Sequence, residues 1–191
     1  MLSFAFLLAV AFSSGSPGTN PALCSVRELR ASPGYRYRVE RIREFIDSAT
    51  VIVRTTAMGP DTLGVRPTEP DSFAPVRSSV VFQVLETLRG TVPNDRLVLP
   101  GTLVDRDDFN RGAVPYTIVR HAGQRGDCEA REYRVGGQYL FILRPSRAGS
   151  GLTPYWRPLA PFNEQVRGTD DPWVEWVRAH IRERGVSPRG A

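Results

Sequence analysis

Lysine is absent from the chain: all 25 basic side chains among its 191 residues are Arg. Schiff-base chemistry, attachment of pyridoxal phosphate and a P-loop of the Gly-Lys-Ser/Thr type each need a Lys, so residue type alone excludes them. Histidine and cysteine are nearly as scarce, at two each: His121, His180, Cys24 and Cys128. A structural zinc site with four Cys/His ligands would consume all four, so neither a metal nor a cofactor is expected. No G-x-S-x-G nucleophile elbow occurs, and a His-assisted Ser or Cys hydrolase has only two bases to draw on. Long apolar runs are missing too, apart from residues 2–12. Gly 17 and Pro 16 stay below the share of a low-complexity chain, and 41% hydrophobic with 24% charged residues is a globular balance. The length predicts one domain with, at most, a terminal appendage.

The apolar run Leu2-Ser3-Phe4-Ala5-Phe6-Leu7-Leu8-Ala9-Val10-Ala11-Phe12 has the length of a signal-peptide core and is too short to cross a bilayer. Residues 1–22 are therefore read as a signal peptide. Cleavage after Ser13, Gly15 or Ala22 meets the small-residue requirement. The expected location is periplasmic, cell-envelope or secreted, with no transmembrane anchor in the mature chain. In an oxidising compartment two Cys residues predict a bridge, and Cys24 to Cys128 is the one intramolecular pairing available. Closing a loop of about 100 residues would contribute on the order of 4 to 5 kcal/mol in the chain-entropy picture.

Tyr35, Val39, Ile42, Ile46 and Ala49 recur at helical spacing between charged residues, which predicts an amphipathic helix. The β-branched stretch Thr50-Val51-Ile52-Val53-Arg54-Thr55-Thr56 predicts a first strand. Pro60, Pro67, Pro70 and Pro75 make residues 58–77 a long loop, of a kind suited to recognition. Strands are expected at 79–88 and 96–100, at 114–119 as an edge interrupted by Pro115, at 138–143 after the Gly136-Gly137 turn, and within 149–159. Asp170-Asp171 followed by Pro172 opens a helix over 171–184 whose apolar stripe is Trp173, Trp176, Val177, His180 and Ile181. His180 is expected to be packed, and His121 to be a solvated loop residue.

Asp105-Arg106-Asp107-Asp108-Phe109-Asn110 fails as a calcium loop, because Phe109 falls where an oxygen ligand is required. The net charge of +5 favours anionic partners, but the Arg residues are dispersed among Asp and Glu, so no specific nucleic-acid site is expected.

The order of helix, Thr50-Val51-Ile52-Val53, Val81-Phe82-Gln83-Val84-Leu85-Glu86 ending in Thr87-Leu88-Arg89-Gly90, Leu97-Val98-Leu99, Cys128 and Gly136-Gly137-Gln138-Tyr139-Leu140-Phe141-Ile142-Leu143 resembles the netrin-like domain shared with tissue inhibitors of metalloproteinases. The resemblance covers residues 24–143 and is to an exported, bacterial version. It implies a mainly β (α+β) fold: an OB-fold-like five-stranded barrel with an N-terminal amphipathic helix and a C-terminal helix. Residues 144–191 then form an extension. In the inhibitors an N-terminal Cys chelates the protease zinc, a role that maps onto Cys24. The expected function is a non-enzymatic binding module for a protein or anionic cell-envelope partner, with no catalytic residues. Its alternatives are a metalloprotease inhibitor acting through a processed Cys24 and an enzyme of another class.

Overall fold

Ile42, Phe45 and Ile46 of helix α1 (Val39–Ser48) and Ala49 just beyond it fall on one side, and burying that stripe holds the helix in place; its N-terminus has no side-chain cap, while Arg89 Nη1 donates to the Ile46 and Asp47 carbonyls at its C-terminus. A computed structural model of the chain describes residues 36–62, 78–125, 128–146, 151–154 and 157–186. The strands are β1 (Val51–Pro60), β2 (Ser79–Arg89), β3 (Arg96–Pro100), β4 (Thr102–Val104), β5 (Glu132–Arg134), β6 (Gln138–Pro145), β7 (Leu152–Thr153) and β8 (Asn163–Val166). Helix α2 (Pro172–Val186) follows. Over the described residues the class is mainly β with two α-helices. Among the described residues no helix is long and apolar enough to cross a membrane.

The main sheet runs β3-β2-β1-β6-β7, with β8 also paired to β6, and its neighbours are antiparallel. Strands β4 and β5 form a separate parallel pair. The sheet therefore continues past Leu143, taking in β7 and β8. At the β2 exit Gly90 has φ +74, and a Cβ there would lie 2.3 Å from the Thr50 carbonyl oxygen, so only Gly lets the turn pack against the start of β1.

Period-2 alternation sorts the apolar side chains of β1 and β6 into two cores. Ile52, Leu140 and Ile142 meet Ile42, Phe45 and Ile46 of α1 and Trp173, Val174 and Val177 of α2. On the opposite parity Val51, Val53, Tyr139, Phe141 and Leu143 join Val80 and Phe82 of β2, Leu97 and Leu99 of β3, and Tyr133 of β5. Phe82 makes edge-to-face contacts there with Tyr133 and Phe141, each at 4.9 Å between centroids. Buried on both faces, β6 reads as the continuous apolar run its sequence predicted.

Asp171 caps α2 as expected, its Oδ1 accepting from Trp173 N at 2.9 Å. The predicted packed state of His180 is also found: its ring stacks on Trp176, and its Nε2 lies 2.9 Å from Asp47 Oδ1 on α1.

Two expectations need correction. Residues 114–119 are not a strand. Pro115 has no N–H to give a ladder, and the neighbouring backbone groups bond to scattered partners. The Thr117 carbonyl accepts from Tyr37 N, the Ile118 carbonyl from Asn110 Nδ2, and Val119 N donates to the Leu159 carbonyl. The loop expected from residue 58 starts later, because Gly59 and Pro60 still pair with Val81 and Val80 of β2. Residues 63–77 lie outside the described residues. So do the signal segment and Cys24.

Candidate functional site: an arginine-lined cleft

Strand β8 is the origin of the site. Its residues Asn163, Glu164, Gln165 and Val166 are all buried, three of them polar. Burying polar groups is tolerable only if each finds a partner. Asn163 Nδ2 donates to the carbonyls of Glu129 and Ala130, at 2.7 and 3.0 Å. Glu164 Oε1 accepts from Arg120 N and its Oε2 from Asn110 Nδ2, both at 3.0 Å. Gln165 Oε1 accepts from Asp108 N, and its Nε2 donates to Asp107 Oδ1, both at 2.6 Å. Gln165 also forms a parallel bridge with Phe109. The polar strand thus fastens residues 107–110 to the edge of the sheet.

Arg120 locks the arrangement from below and is fully buried. Its Nε donates to the Asn163 carbonyl, its Nη1 to Asp108 Oδ2, and its Nη2 to the carbonyls of Glu132 and Ala130. Its guanidinium sits 5.5 and 5.4 Å from the Tyr133 and Tyr139 ring centroids. Burial pushes the Glu164 carboxyl up to about 7, against the opposing pull of Arg120. Burial likewise raises the Tyr133 hydroxyl to about 12, so it stays a neutral phenol beside Asn163. These titratable groups are walled in and structural.

Above them opens a cleft of about 790 Å³, lined in part by Arg106, Asp107, Phe109, Arg111, Arg125 and Arg167. Its acidic residues are already committed. Asp108 accepts from Arg120 and from Ala122 N. Asp107 takes Arg134 Nη1 on both oxygens at 2.9 Å, and this guanidinium holds its carboxyl below the usual range. The arginines are under-compensated by comparison. Arg106 and Arg125 share the single carboxylate oxygen Glu132 Oε2, at 2.9 and 2.7 Å. Arg111 has no hydrogen bond or ion pair among the described residues. The cleft is therefore a cationic, partly walled space, suited to focusing a field on an anion.

Of the residues singled out in sequence, His121 is exposed and lines this cleft, while His180 lies between the two helices. Cys128 is fully buried among Ile118, Val119, Ala122, Ala130 and Leu159. Among the described residues no three His, Cys, Asp or Glu side chains gather as a metal site. Sequence reasoning missed the cleft. The Asp-Arg-Asp-Asp-Phe-Asn-Arg run was visible, but its meeting with Arg125 and Arg167 depends on β8, whose polar sequence carries no strand signal. No family model matches the chain, and no curated protein matches it significantly.

Proposed function

We propose that the protein is an exported, non-enzymatic binding module that holds an anionic protein or cell-envelope partner in the arginine-lined cleft. The observation that carries this reading is the charge imbalance of the cleft: its carboxylates are consumed by Arg120, Arg134 and backbone donors, while Arg111 has no counter-ion among the described residues. A surface of this kind recruits oxyanions by charge, and in this reading His121, exposed on its lining, serves as a further polar contact.

The scaffold is read as an OB-type barrel of the netrin-like kind. In its support, the path β3-β2-β1-β6-β8 comes back to the chain following β4 through the parallel Phe109–Gln165 bridge. The aromatic inner cluster draws on β1, β2, β3, β5 and β6, as a filled small barrel does. In this reading β8 is the closing strand, so the binding domain extends past residue 143. A Cys24 to Cys128 bridge would tie the mature N-terminus to the floor of the fold beside the cleft. Protein recovered from the native envelope is then expected to show no reactive thiol, and two reactive thiols would remove both the bridge and the export.

The test of function is anisotropy of labelled polygalacturonate with wild type and an Arg111→Glu/Arg125→Glu double variant. Wild type should bind in a salt-sensitive way, and the double variant should lose most of that binding while keeping the wild-type circular dichroism spectrum. Equal binding by both proteins would move the site elsewhere, and turnover of the polymer that tracks the purified protein would overturn the non-enzymatic reading.

A further inference from the structure

We infer that Arg167, its guanidinium held over the Phe109 ring, is a preformed fork for one oxyanion of the ligand and is the residue on which specificity in the cleft depends. This rests on the cleft being the binding site, and adds which atoms recognise the ligand and why.

The two residues are set by the backbone. Phe109 bridges Gln165 in parallel, and Arg167 stands two residues further along the same chain direction, a diagonal neighbour across the strand pair. Gln165 holds the two residues before Phe109 with both ends of its amide, Oε1 accepting from Asp108 N and Nε2 donating to Asp107 Oδ1. Arg167 N donates to Asp171 Oδ2 at 2.9 Å, fixing its own main chain. Within that frame the Arg167 guanidinium carbon lies 4.3 Å from the Phe109 ring centroid.

The side chain is nevertheless 61% exposed, and none of its guanidinium N–H groups is hydrogen-bonded to a described residue. Its nearest carboxylate oxygen, Asp171 Oδ2 at 3.8 Å, is beyond hydrogen-bond reach of Nη1 and already accepts from Arg167 N. A guanidinium held over a ring with its N–H donors unused by the protein can pair with a carboxylate or a phosphate bidentately. Most of the rotamer entropy of the long side chain has been lost before the ligand arrives. Arg111, also on the cleft and without a counter-ion among the described residues, would take a second oxyanion of the same molecule. The ligand chemistry is thus a small molecule or chain end carrying at least two oxyanions, and the cleft of about 790 Å³ has room for one of drug-like size.

Isothermal titration of the full mature protein at low salt with tripolyphosphate and, separately, with citrate tests this and separates phosphate from carboxylate as the source. At least one probe should bind one to one. Arg167→Lys keeps the charge but loses the fork, and Phe109→Leu loses the platform, so each should weaken binding about tenfold. Arg184→Lys, in the Asp47 pair between the helices, should leave it unchanged. Melting curves identify a variant that has merely unfolded, and because the Arg167 side chain is mostly solvated, Arg167→Lys keeps the experiment decisive if Phe109→Leu does not fold. Wild-type affinity in Arg167→Lys would overturn the fork and leave the cleft reading standing. Polygalacturonate binding with neither small probe bound would do the same. If wild type binds neither polymer nor probe, both readings fall.

Discussion

Arg120 and Arg167 have the same headgroup against aromatic rings on the two sides of one segment, residues 107–110, and they do opposite things. Arg120 lies over Tyr133 and Tyr139 with no solvent exposure, and its donors reach three carbonyls and Asp108. Arg167 lies over Phe109, faces solvent, and through its guanidinium makes no hydrogen bond to a described residue, only the 3.8 Å ion pair with Asp171. The difference shows how a chain without Lys uses one residue type both as architecture and, in the proposed reading, for recognition. Where the planar fork is saturated by protein acceptors it holds the fold together. Where it is oriented but unsaturated it is available to a ligand.

The most severe way to break the contrast is truncation of the buried member. Arg120→Met removes the buried cation that pairs with Asp108 and donates to three carbonyls, leaving Asp108 only Ala122 N and the Ala130 carbonyl only Asn163 Nδ2, and should cost about 3 to 5 kcal/mol of stability. Arg167→Met should cost no more than about 1 kcal/mol, the worth of an exposed cation–π contact. Urea denaturation measures both, and equal losses would erase the distinction.

Next in size is a pH effect confined to the buried side. Because the folded-state Glu164 carboxyl is raised to about 7 from an ordinary value of 4.5, the folded state holds a proton that the unfolded chain releases. Its contribution is complete below 4.5 and is lost as pH rises through about 7, amounting to up to about 3 kcal/mol. Glu164→Gln should be less stable throughout, since its amide keeps one acceptor oxygen and turns an NH2 donor toward the other of Arg120 N and Asn110 Nδ2. Its stability should nonetheless lack the decline between pH 4.5 and 7 seen in wild type. Parallel pH profiles would show that Glu164 does not titrate there.

Asp171→Ala sharpens the comparison on the open side. It removes the cap of α2 and should cost about 1 kcal/mol. It also frees Arg167 from its nearest carboxylate, so oxyanion binding should tighten or hold while stability falls. A joint loss of both would make Arg167 dependent on Asp171 rather than on Phe109.

The apolar half of this molecule was legible in the sequence. The runs at β1, β2, β3 and β6, the α2 cap at Asp171 and the stripe of α1 each follow from period and composition, although Phe45 had escaped the stripe despite being one of its most buried members. The polar half was not. The Asn163–Val166 strand alternates nothing, and its burial is set by partners 30 to 60 residues away, such as Tyr133, Asn110 and Asp107. The same feature hid the site. Arg167 and Phe109 meet only through the β8 bridge, and a dispersed set of Arg residues in sequence becomes a concentrated one in space.

The most direct test observes the arginines themselves. In ¹⁵N spectra of Arg side chains, titration with tripolyphosphate or polygalacturonate should move the Nε resonances of Arg167 and Arg111 and leave that of Arg120 in place. Movement spread evenly over all solvent-exposed arginines, or absent at Arg167, would contradict the account.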